Sequence, residues 1–159
     1  MDFSKLDRSE LIGVISGVIL AISLFLPWYS LGGGVVRDED ADWVCGAGND
    51  SCSGWATFPI LKWLLLLAAA APLILSWIVI RQHKLTWPRG ELTAIAGLTA
   101  MVLIGFNGFV DKPSENNLAI SLDWGYFIAL LAAIGIFVAG GFRAVESGGG
   151  AQRKPPATF

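Results

Sequence analysis

The two cysteines carry the most reactive side chains in the sequence, and six residues separate them: Cys45 and Cys52. Thiols at this spacing either close a small structural disulfide or work as a redox pair. A membrane redox relay needs a Cys-x-x-Cys unit and a second pair to pass electrons on. This chain has one pair, no Cys-x-x-Cys and no further cysteine, so the structural disulfide is the reading adopted. Gly46 and Gly48 allow the turn it requires.

Three polar residues form a second candidate. Lys62, Asn107 and Asp123 each lie near the end of an apolar run. Ionisable groups at membrane depth are functional candidates. An inward Lys62 would pair with Asp123 or Asp111 and hydrogen-bond Asn107. The plainer alternative is a shallow lysine that snorkels outward. His83 is the only histidine and lies across the membrane from both cysteines, so it builds no metal site. Asn49-Asp50-Ser51 matches a glycosylation acceptor, which matters only in a eukaryotic secretory route. No nucleophile–base pair and no cofactor motif is visible. The expectation is a non-enzymatic protein without cofactor or metal.

The elements that position these residues are read from the apolar runs. The chain has 159 residues, 54% hydrophobic and 15% charged, with a mean hydropathy of +0.61. A soluble domain carries about 25% charged residues. The apolar residues gather into four blocks, which predict helices over residues 9–28, 57–80, 89–110 and 122–145. A hydrocarbon core of roughly 30 Å needs about 20 helical residues; Ser9 to Trp28 meets that, and Pro27 marks its end. A signal peptide is the competing reading of the first block, but Pro-Trp-Tyr stands where a small-residue cleavage site belongs, so retention is expected. Asp7 with Glu10 reads as a capping pattern. Pro72 lies inside the second block and predicts a bend. The outer loops are 29–56, which is acidic, and 111–121. Residues 147–159 read as a disordered tail. Trp28, Tyr29, Trp55, Trp87 and Trp124 read as interface anchors.

Positive charge sets the orientation. Lys5, Arg8, Arg81, Lys84, Arg89, Arg143, Arg153 and Lys154 fall on one side. Arg37 and Lys112 fall on the other, with Lys62 near that surface. Both termini are therefore expected in the cytoplasm. A net charge of −2 gives no reason to expect nucleic acid as a partner. In lipid, helices associate through small residues. Gly13, Gly17 and Ala21 form such a stripe on the first helix, and Gly125, Ala129 and Ala133 another on the fourth. They serve packing within the chain or, in a sharper reading, a homodimer.

Four helices and an outer loop with Trp28, Trp43, Cys45 and Cys52 resemble the plan of claudins and related tetraspan proteins. That resemblance implies an outer sheet stabilised by the tryptophans and cysteines. Here the second helix follows Cys52 almost at once and leaves that extended sheet no room. The Leu26-Pro27-Trp28-Tyr29 helix exit and the Gly/Ala-rich spans are more similar to small, uncharacterised four-helix membrane proteins of actinobacteria and related bacteria. This likeness implies no particular activity.

The sequence thus predicts an all-α membrane protein: four transmembrane helices in an up-down-up-down bundle with a disulfide-pinned outer loop. It is expected in the bacterial inner membrane, with the lipid bilayer and an unidentified membrane or extracytoplasmic protein as partners. The role expected is an accessory or scaffold subunit. The alternative is a small transporter or channel subunit; a thiol-redox enzyme ranks below both.

Overall fold

The computed structural model describes residues 8–31, 51–81, 89–110 and 120–149. In chain order the elements are α1 (Arg8–Ser23), β1 (Pro27–Leu31), β2 (Ser51–Ser53), α2 (Gly54–Thr57), α3 (Leu61–Ile80), α4 (Arg89–Phe109), β3 (Ile120–Leu122) and α5 (Trp124–Gly149). The protein is mostly helical. Three segments are long and apolar enough to cross a membrane: Leu61–Ile78, Gly90–Phe109 and Trp124–Glu146. The last helix runs on to Gly149, past the expected end near residue 145.

The first helix is shorter than its apolar run predicts. It has 16 residues, or about 24 Å at the α-helical rise, and stops at Ser23 instead of reaching Trp28. Tight turns replace it: the amides of Phe25 and Leu26 donate to the carbonyls of Ile22 and Ser23, at 3.0 and 3.1 Å. The Trp28 indole Nε1 then donates to the Ser23 carbonyl at 2.7 Å. The Ser23 carbonyl, at the helix end where carbonyls lack intrahelical donors, thus accepts from both the Leu26 amide and the indole. Pro27 supplies no amide hydrogen, and the residue before it is pushed out of helical geometry.

The chain then enters a sheet, so the all-α expectation is corrected. The order is β2-β1-β3, and both pairings are antiparallel. Tyr29 lies opposite Cys52 and Leu122, and Ser30 opposite Ser51 and Ser121. The register slips between Pro27 and Tyr29, which makes Trp28 an extra residue on β1. Successive strand side chains ordinarily face opposite ways, and a bulge re-aims one of them. That accounts for Trp28 and Tyr29, adjacent in sequence, both being fully buried. The small sheet is built by recruiting the helix exit and the approach to α5, not by lengthening the outer loop.

Each of the four longer helices packs against two others: α1 on α3 and α5, α4 on α3 and α5. The α4–α5 seam is the closest. A Cβ at Gly90 would overlap the Ala144 backbone, one at Gly97 the Phe137 backbone, one at Gly140 the Ala94 backbone, and one at Gly108 the Tyr126 ring. These facing pairs step in opposite directions, so the two helices are antiparallel. Their steps of four and three residues are those of a heptad seam, with small residues letting the backbones meet. On α1, Gly13 and Gly17 accept the Pro72 ring of α3, which continues as a helix through that proline.

Gly97→Ala is expected to destabilise the fold by about 1–3 kcal/mol, the usual cost of overpacking. Gly105→Ala, where nothing lies within 4 Å, should instead gain up to about 1 kcal/mol from helix propensity. Unfolding titrations in mixed micelles compare the two. Equal effects would mean that the seam is not held as described.

Candidate functional site

The burial pattern of α1 is inside out for a protein in water. Its buried residues are Ser9, Glu10, Gly13, Ser16, Gly17, Leu20 and Ser23. Its exposed residues include Leu11, Ile12, Ile15, Val18 and Ile22. The longer helices likewise turn large apolar groups outward, among them Leu67, Val102, Phe106 and Leu131. A surface helix in water buries its apolar stripe; this arrangement suits an apolar surrounding.

Aromatic groups fill the sheet end. Trp28 packs edge-on against Tyr126 and Phe58, with centroids 5.9 and 6.4 Å apart. Its indole lies so close to Gly54 that a Cβ there would sit 2.7 Å from Cε2. The Tyr29 hydroxyl donates to the Asn107 carbonyl, and the Tyr126 hydroxyl to the Ile104 carbonyl, both at 3.1 Å. The sheet and α5 are thus tied to the last turns of α4. Trp28 and Tyr29 are therefore core residues and not the lipid-facing anchors their positions suggested. Trp124 is exposed and Trp55 half-buried; Trp87 lies outside the described residues. Cys52 is buried in β2 against this core, and Cys45 lies outside the described residues.

The expected polar trio does not converge. The Lys62 ammonium lies over the Trp55 ring, 5.0 Å from its centroid. The Asn107 amide donates to Leu103 of its own helix at 2.8 Å. An Asp123 carboxylate oxygen accepts from the Trp124 amide at 2.7 Å. Among the described residues no ion pair joins Lys62 to a carboxylate; Asp111 and His83 lie outside them. Lys62→Met is then expected to lower stability by no more than about 1 kcal/mol, the scale of a partly exposed cation–π contact. Thermal unfolding in detergent reads this. A loss of several kcal/mol would restore the buried pairing.

The small-residue stripes are occupied inside the chain. Gly13 meets Ala139 and Pro72, Gly17 meets Ala69 and Pro72, and Gly125 meets Pro27. Ala129 and Ala133 are fully buried, and Ala21 packs against the core.

The polar constellation that does form lies at the opposite end. Glu10 of α1 pairs with Arg143 of α5. Ser9, Ser76 and Thr93 are buried beside them around a small cavity that Gly13, Pro72, Ala139 and Gly140 complete. Four helices contribute to it. The Ser9 Oγ is buried with no hydrogen-bond partner. Sequence reasoning gave Glu10 to a helix cap and Arg143 to the charge asymmetry. The overlooked signal was helical phase: Glu10 stands three residues before Gly13 and seven before Gly17, on the face that packs inward. Arg143 stands four residues after Ala139, on the same face of α5.

An ion pair flanked by hydroxyls can hold helices together and bind a small polar molecule. Among the described residues no group of three or more His, Cys, Asp or Glu is placed to hold a metal ion. No protein-family model, no curated protein and no solved structure matches this chain.

Proposed function

We propose that the chain is a bacterial inner-membrane protein whose four longer helices all span the bilayer in an up-down-up-down bundle, with both termini in the cytoplasm. In this reading Cys45 and Cys52 form a disulfide that pins the outer loop to the sheet. The buried position of Cys52 beside Tyr29 supports that bond. The protein acts as a non-enzymatic accessory or scaffold subunit for a membrane or extracytoplasmic partner.

The observation that carries the proposal is the filled interior. Ala69, Ala100, Ala133 and Ile136 lie near the middle of their helices and are buried, and Leu20, Leu65 and Ile104 close the interior toward the sheet. A transporter or channel subunit, the alternative role, needs a polar path at that depth. The occupied stripes favour packing within the chain over a homodimer through them.

Purification from native membranes in mild detergent, with mass spectrometry of what stays bound, tests the role. A stoichiometric protein partner that survives washing is expected. A chain that elutes alone and carries solute across reconstituted vesicles would overturn it.

A further inference from the structure

We propose that the cavity among Ser9, Glu10, Ser76, Thr93 and Arg143 is a binding site for one water molecule. The space is ≈ 10 Å³, at the lower end of the roughly 10–15 Å³ that one water occupies on this measure.

The chemistry of the walls selects the ligand. Burying a hydroxyl without a hydrogen bond is unfavourable, yet Ser9 Oγ is buried and unpartnered at the cavity wall. A ligand there must therefore exchange hydrogen bonds with a hydroxyl. Ser76 and Thr93, both buried hydroxyl residues, line the same space. Glu10 alone would favour a cation, but Arg143 is paired with it, which leaves the site close to neutral. A sodium ion would face the guanidinium and a chloride the carboxylate. Water, neutral and both donor and acceptor, fits the donor set, the volume and the charge.

The wall opposite is apolar and small. Gly13 borders the cavity, and a Cβ added to it would rest 3.5 Å from the Ala139 Cβ and 3.6 Å from the Pro72 Cβ. Those are ordinary contacts. Gly13→Ala therefore fills the space without displacing backbone, which makes it a clean probe of what the space holds. The Gly97 seam supplies a dry reference, since backbones touch there.

The experiment is water-edited solid-state NMR on the full chain in lipid bilayers. Polarisation from water is expected to reach the Gly13 and Thr93 amides several-fold faster than the Gly97 and Ala133 amides. In Gly13→Ala the transfer to Thr93 should fall to the dry rate while the other chemical shifts persist. Equal, slow transfer at all four amides in the parent chain would overturn the site. So would fast transfer to Thr93 that survives Gly13→Ala, because that water would then enter from the helix ends. Ser9→Ala adds an independent arm: the Thr93 transfer should drop there too, and an unchanged rate counts against the proposal.

Discussion

Replacing Arg143 with alanine is expected to destabilise the protein by about 3–5 kcal/mol, because it strands a buried charge. Glu10 has a side chain only 2% exposed, and that of Arg143 is 16% exposed. The carboxylate would lose its counter-ion with little water to replace it. The attraction itself is not the source of the loss, since desolvating two charges offsets much of it. A double variant, Glu10→Met with Arg143→Met, is therefore expected to recover most of the stability. Unfolding titrations in mixed micelles on both single variants and the double complete the cycle. Additive losses in the double variant would show that the two residues do not act as a pair. Loss of α1–α5 contact should accompany the single changes, because the pair joins the first turn of α1 to the later turns of α5.

Trp28→Ala should be of similar size, about 3–5 kcal/mol, the range for emptying a large aromatic site. The indole is fully buried and touches four parts of the fold: the Ser23 carbonyl, Gly54, Phe58 and Tyr126. Collapse into the vacated space is limited, because Gly54 has no side chain to advance and Tyr126 is held by its bond to Ile104. Trp28→Phe separates volume from hydrogen bonding. It keeps most of the bulk and loses the bond to Ser23, so a smaller loss of about 1–2 kcal/mol is expected. A lipid-facing anchor would behave differently: its alanine variant would unfold almost as the parent does. That result would return Trp28 to the surface.

The helices were legible because hydropathy over long blocks needs no knowledge of partners. The segments at Leu61–Ile78 and Gly90–Phe109 fall inside the second and third runs read from the sequence, and Trp124–Glu146 oversteps the end of the fourth by one residue. The sheet was not legible. Strands of three residues show no alternation to detect, and β1 finds its β3 partner far along the chain. Trp28 and Tyr29 look the same in sequence whether they face lipid or lie under a strand. Lys62, Asn107 and Asp123 were placed near the right helix ends, but each is satisfied locally, by a ring, a helix carbonyl and an adjacent amide. Glu10 and Arg143 meet because α1 and α5 run side by side. Helical phase puts each of them on an inward face, but neither segment alone says which residue it meets there.

The pairing of Ser30 with Ser121, whose hydroxyls lie 2.8 Å apart across 91 positions, fixes an order of events during synthesis. The central strand leaves the ribosome early, directly behind α1, but its second neighbour emerges only after α4 is complete. Until then one margin of β1 is unpaired, and Trp28 waits without Tyr126 in place. A nascent chain interrupted before Ile120 would thus display bare aromatic surface and an open strand margin outside the helices. Those are the features by which quality-control proteases and chaperones pick out unfinished products.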